Sequence, residues 1–240
     1  MAKPSGAPLM DARPHWFPLG RTHARAVLGR VVPAVRRAVR GSPNPSVTEI
    51  ALRSRCPFRV LVSTVISART KDEVTGEAAR RLFAKGATPR ALARLSERTI
   101  SALIYPAGFY RTKAKAIRAL SSKLLRDYDG RVPDSMEGLL SLPGVGRKTA
   151  NLVLTLGFGL PGICVDTHVH RVVNRLGIIR TMRPPETESS LRAVLRRDYW
   201  LEINDLLVMF GKTVCTPLSP RCSECPIRRS CRRIGVKRSR

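Results

Sequence analysis

The chain has 240 residues, 43% of them hydrophobic, enough to bury one larger core or two small ones. Its 44 Lys and Arg against 17 Asp and Glu leave a formal net charge of +27, and 35 of those cations are arginine. Such a balance points to a polyanionic partner, and the planar fork of arginine suits phosphate. No apolar run approaches the roughly eighteen residues of a membrane span. The proline-punctuated start, Met1 to Gly20, lacks the apolar centre of a secretory signal. The expected setting is intracellular, cytoplasmic or nucleoid-associated, with no membrane partner. There the six cysteines are not expected to form a disulfide framework.

The helical patterns begin after an N-terminal arm that reads as disordered over residues 1–24. Arg25 to Arg40 places Leu28, Val31, Val32, Val35 and Val39 on one face, with Pro33 predicting a kink or a helix start. Ser42-Pro43-Asn44-Pro45 breaks the pattern. Phe58 to Ser67 is β-branched and locally strand-like, but no partner strand is evident, so the run after Pro57 is expected to be a buried helix. Asp72 is the expected cap of a helix reaching Ala84. Shorter helices follow at Pro89–Leu95 and Glu97–Ile104, then a long amphipathic one from Arg111 to Tyr128 with a basic face.

Pro133 to Leu140 forms a short helix leading into Leu142-Pro143-Gly144-Val145-Gly146-Arg147-Lys148-Thr149-Ala150. The glycines permit backbone conformations closed to other residues. The following helix, Arg147 to Phe158, would turn its unpaired N–H groups toward an anion such as a phosphate, with Lys148 beside it. A solvated lysine at a helix start is the plain alternative for this motif by itself. Helices at Thr167–Leu176, Pro184–Arg197 and Tyr199–Val214 complete an all-α chain with no fixed repeat.

At the C-terminal end Cys215, Cys222, Cys225 and Cys231 follow the spacing C-x6-C-x2-C-x5-C. Thiolates this close in a reducing compartment read as a metal site. Zinc is the rival, yet only one close pair is present and no histidine follows His170. The spacing favours a cubane cluster modestly. Arg221, Arg228, Arg229, Arg232 and Arg233 are interleaved with the ligands, so a structural role in holding a basic loop against DNA is expected. Cys56 and Cys164 stand apart and read as core thiols.

Three features now stand in one order: the glycine turn with Lys148, then Val165-Asp166-Thr167-His168-Val169-His170-Arg171, then the four-cysteine loop. Together they resemble the endonuclease III family, helix-hairpin-helix DNA glycosylases with a [4Fe–4S] cluster. Ser67-Ala68 followed by Asp72, and Ala107-Gly108-Phe109-Tyr110-Arg111-Thr112-Lys113-Ala114-Lys115, agree with it over roughly residues 25–233. The resemblance implies two helical domains flanking a DNA-binding cleft: a barrel at about 52–160 containing the hairpin, and a cluster domain of 25–51 plus 161–233. Residues 234–240 form a basic tail.

The activity implied is excision of oxidised pyrimidines from duplex DNA in base excision repair, followed by strand cleavage at the abasic site. Lys148 falls on the position of the catalytic lysine and Asp166 on that of the catalytic aspartate. The amine of Lys148 would attack C1′ of a flipped nucleotide, expel the base and form a Schiff base, and β-elimination would then break the strand. Asp166 would accept a proton or stabilise charge on the sugar. Taken alone, Asp166 reads as a helix N-cap, and His168 and His170 as packing residues. The resemblance also implies Cys215, Cys222, Cys225 and Cys231 as ligands of a [4Fe–4S] cluster.

Gly144, Gly146, Arg147 and Arg221 would lie on DNA. Phe109 would enter the base stack, and Arg69 stands where the family carries a gap-filling glutamine. The expected partner is duplex DNA containing damaged bases or abasic sites, bound by a monomer. Alternatives are a mismatch- or pyrimidine-dimer-specific glycosylase of the same superfamily, or a non-catalytic DNA-binding or redox-sensing module.

Overall fold

The computed structural model describes residues 17–240. Among them are twelve α-helices and no strand. They are α1 (Arg21–Ala38), α2 (Ser46–Ser54), α3 (Pro57–Ser67), α4 (Asp72–Lys85), α5 (Pro89–Arg94), α6 (Glu97–Ile104) and α7 (Tyr110–Asp127), then α8 (Met136–Leu140), α9 (Arg147–Leu152), α10 (Thr167–Leu176), α11 (Pro184–Val194) and α12 (Ile203–Thr213).

The β-branched run after Pro57 is helical, as its surroundings dictate. Proline at the first helical position suits a helix start, and Phe58, Val60, Leu61, Val62, Val65 and Ile66 are all buried. With α2, α4, α7 and α9 packed around it, α3 is buried on every side from Val60 to Ile66, the pattern of a central helix. Burying each such side chain contributes about 1.5–3 kcal/mol.

Two clusters of buried side chains organise the chain. The first gathers Val47 and Ala51 of α2, the apolar residues of α3, and the inner faces of α4 to α9. The second gathers Phe17, the inner face of α1, and apolar residues of α10, α11 and α12. The expected arm is shorter than 1–24, because Phe17 and Ala24 are buried in the second cluster and α1 begins at Arg21; the rest of it, 1–16, lies outside the described residues. The basic tail folds back, with Arg240 N donating to Pro220 O at 2.8 Å.

Two local expectations are corrected. Asp72 is the first residue of α4, not its cap, and its carboxylate accepts from Ser46 N at 3.1 Å. It thus caps α2, a helix the proline-rich segment before it concealed. The helix after the glycine turn is α only to Leu152 and then π-helical over Val153–Gly157. There Thr155 Oγ1 donates to the carbonyls of Asn151 and Leu152, an alternative to the regular backbone ladder.

Candidate active site and nucleic-acid interface

The helix that follows the glycine turn, α9, and the start of α10 meet at one cleft of about 290 Å³. Gly144 has φ 77°, in the left-handed region, and a Cβ there would stand 2.7 Å from Ala116 Cβ on α7. Glycine is thus required inside the fold. At Gly146 a Cβ would meet nothing within 4 Å. Its open face leaves room for a foreign backbone against the first turn of α9, whose N–H groups have no side-chain cap.

Lys148 follows on α9, half-exposed, with Nζ 4.0 Å from Oδ2 of Asp166, which is mostly buried. Asp166 caps α10: its Oδ1 accepts from His168 N at 2.8 Å and Val169 N at 2.9 Å. One oxygen therefore fixes the helix start while the other turns toward the lysine. Capping and chemistry need not compete for this carboxylate. Behind Lys148, the buried Cys164 has its Sγ 3.7 Å from Lys148 O. Burial pushes that thiol up to about 12, so it stays protonated and inert.

The two histidines take different places. His168 lines the cleft, with Nδ1 3.1 Å from Arg171 Nη2, and Arg171 in turn donates to Gly211 O at 2.9 Å and Cys215 O at 3.2 Å. Burial lowers the proton affinity of His168. His170 belongs instead to an internal network, 2.7 Å from Thr187 Oγ1 and bonded through Asn174 to Thr181.

Ser67, Thr70 and Lys71, beside Arg69, also line the cleft. Arg69 and Phe109 are brought together: each has positive φ, 53° and 57°, and the guanidinium sits 5.5 Å from the ring centroid. Phe109 is 62% exposed, so the pair projects as one blunt ridge. Gly108 allows the approach, since a Cβ there would stand 2.4 Å from Arg69 O. Beneath them Lys113 is buried, and its Nζ donates to Ile66 O at 2.6 Å, Ala68 O at 2.5 Å and Thr70 Oγ1 at 2.7 Å.

Arg147 is not a free cation. Its guanidinium forks onto Glu188 at 2.9 and 3.2 Å, joining α9 to α11, and Arg192 binds the same buried carboxylate at 3.0 Å. Glu188 and a further acid on α12, Asp205, belong to no motif of the sequence, and Lys113 stands in the Ala107–Lys115 run without a local sign of its burial. A charged residue on an otherwise apolar helix face was the available signal for Asp205.

At the C-terminal end Cys215, Cys222, Cys225 and Cys231 ring one pocket whose apolar walls include Val172, Leu176, Phe210 and Ile227. All four thiols are free of disulfides. Arg175 braces the loop, donating to Cys215 Sγ at 3.4 Å, Thr216 O at 2.7 Å and Pro217 O at 2.5 Å. Among the described residues, no group of three or more His, Cys, Asp or Glu is placed to hold a single metal ion. Arg221 is exposed on the rim of this pocket. Among the described residues, no helix is long and apolar enough to cross a membrane.

Residues 62–197 match the HhH-GPD superfamily of base excision DNA repair proteins, the class that this helical fold and its hairpin-and-aspartate cleft define. Endonuclease III of Thermotoga maritima is 50% identical over 175 residues, covering 73% of this chain and 82% of that protein. Endonuclease III of Bacillus subtilis is 40% identical over 185 residues, covering 77% and 84%. The structure of a trapped endonuclease III–DNA covalent intermediate superposes with a TM-score of 0.79 at 33% identity, covering 90% of this chain and 97% of that one. The chain belongs to the endonuclease III family, whose members are DNA glycosylases and AP lyases.

Proposed function

We propose that the chain excises oxidised pyrimidines from duplex DNA and cuts the strand at the resulting abasic site, with Lys148 as nucleophile and Asp166 as its acid–base partner. The observation that carries this reading is their juxtaposition, Nζ to Oδ2 at 4.0 Å, on one wall of an open cleft. A damaged nucleotide is extruded from the stack, at a cost of a few kcal/mol. The neutral amine of Lys148 forms a bond to C1′ as the bond from C1′ to the base breaks. The base leaves with the electron pair, and the amine proton passes to Asp166 or water. The nitrogen lone pair then forms the C=N bond as the C1′–O4′ bond breaks and O4′ takes a proton, opening the sugar ring to a Schiff base. The Schiff base acidifies C2′, and loss of that proton expels the 3′ phosphate.

Arg69 and Phe109 occupy the space left in the duplex. The open N–H groups beside Gly146, the basic surface and Arg221 hold the backbone, so binding weakens as salt rises. One protein molecule suffices for one lesion, and the active form is a monomer.

The four thiols suit a [4Fe–4S] cluster: they ring one largely apolar pocket, with an arginine donor toward a sulfur. Cys215, Cys222, Cys225 and Cys231 would hold it. Burial raises the thiols of Cys225 and Cys231, so binding must displace their protons. Ligation by these four residues would tie the loop of Cys222, Cys225 and Cys231 to Cys215 at the end of α12. A panel of duplexes varied in both lesion and opposite base tests the substrate reading. Oxidised pyrimidines should be cleaved, and a panel in which only mismatches or dimers are processed would replace it.

A further inference from the structure

The cleft of Lys148 and Asp166 holds a third reactive group that the scheme above leaves idle. Asp205 lies in the first turn of α12 and lines the same cleft. Its Oδ2 accepts from Thr48 Oγ1 of α2 at 2.8 Å. Among the described residues no lysine, arginine or histidine forms an ion pair with it. The charged groups around it come from four elements. Asp166 and His168 stand on α10, Asp72 at the start of α4 after Lys71, Lys148 on α9, and Lys212 further along α12. Lys212 is taken by Asp72 at 3.5 Å, and Lys148 faces Asp166. Asp205 is therefore a carboxyl group facing two other carboxylates, with one hydroxyl donor and no cation of its own.

The two acids of the cleft thus differ in kind. Asp166 is a carboxylate held by two backbone N–H groups with a lysine at its second oxygen. Burial and the charges of Asp166 and Asp72 push Asp205 up to about 6. A nucleotide entering the cleft expels more water and moves it further in the same direction. Two carboxyl groups with environments this different are the pattern by which one site supplies both a base and an acid.

We propose that Asp205 is the general acid that protonates the departing base. This rests on the reading of Lys148 as nucleophile. As the Lys148 nitrogen bonds to C1′, the electron pair of the C1′–base bond passes to the base, which takes the proton of Asp205. Asp205 becomes a carboxylate and is reprotonated from solvent. Cleavage at a preformed abasic site has no base to expel and makes no such demand.

The test compares wild type, Asp205→Asn and Thr48→Val on duplexes bearing thymine glycol or an abasic site, with borohydride trapping as a second readout. Asparagine keeps an acceptor for Thr48 but carries no proton to give. Asp205→Asn is expected to slow base excision about 100-fold relative to its effect on abasic-site trapping, and to abolish the alkaline fall in excision rate that the wild type shows. Thr48→Val removes the donor that favours the charged form, so that fall moves to higher pH. Equal losses on the two substrates, or a wild-type pH profile in Asp205→Asn, would overturn the proposal. Persistent trapping by Lys148→Gln would instead overturn the reading beneath it.

Discussion

The guanidinium of Arg69 stacks over the ring of Phe109, 5.5 Å from its centroid, although the two residues come from different loops. Both backbones are left-handed there, a conformation that costs about 1–3 kcal/mol in a residue other than glycine. Packing must hold it, and Lys113 does so from below through two oxygen atoms of the Arg69 loop, Ala68 O and Thr70 Oγ1, while also donating to Ile66 O near the end of α3. Thr70 adds a link between the loops, accepting from Gly108 N at 3.1 Å. A ridge built this way enters a duplex as a single body.

Replacing Lys113 by Met should leave the fold intact and lower excision from duplex DNA about tenfold or more, since flipping requires the ridge. Trapping on a single-stranded abasic site, where nothing has to be wedged apart, should fall far less. Burial lowers Lys113 to about 8, against about 10.4 in the unfolded chain. Between those values the unfolded chain keeps a proton that the folded chain has released, so folding stability contributed by this group rises with pH. Urea denaturation at pH 7.5 and 9.5 should show the wild type gaining on Lys113→Met at the higher pH.

The two hairpin glycines should separate folding from binding. Gly144→Ala meets both a positive φ and a methyl group at 2.7 Å, and is expected to destabilise the protein by about 1–3 kcal/mol. Gly146→Ala meets nothing within 4 Å and should melt near the wild-type temperature. It should nonetheless weaken DNA binding severalfold, because the added methyl occupies the face left open for phosphate. Thermal melts paired with duplex titrations at fixed salt check both.

Glu188 is buried between Arg147 and Arg192. Glu188→Gln removes a charged acceptor from two guanidinium donors, and about 1–3 kcal/mol of stability should go with it. The half-exposed Arg147 is released at the same time, so affinity for undamaged duplex should not fall. Denaturant curves and salt-dependent binding measure the two effects separately.

Removing the cluster should loosen the C-terminal end alone. Brown absorbance with about four irons per chain is expected in the purified protein, and zinc in place of iron would refute the assignment. Cys222→Ala should lose that colour and render residues 215–240 sensitive to protease. The second core, anchored by Phe210, Val172 and Leu176, should still melt cooperatively.

Much of this site is legible in the sequence, for a physical reason. The Gly-Val-Gly turn, Asp166 ahead of an apolar helix and the cysteine spacing are local patterns, each fixed by backbone geometry within a few residues. The strand-like run of α3 also yields to context, because no partner strand exists for it. What stays hidden depends on contacts between distant segments. Asp72 caps α2 rather than its own helix, Arg147 is claimed by Glu188 across 41 residues, and Lys113 reaches back to Ile66 and Ala68. Asp205 gains its character from burial and from the acids that α4 and α10 bring beside it.

In the proposed reaction Lys148 becomes covalently bound to the sugar of the lesion. The direct measurement is borohydride reduction during reaction with a thymine-glycol duplex, comparing wild type with Lys148→Gln by denaturing gel and peptide mass. The expected result is one cross-linked species in the wild type, with the adduct on Lys148, and none in the variant although it still binds the duplex. An undiminished cross-link in Lys148→Gln, or an adduct on another residue, would contradict the assignment.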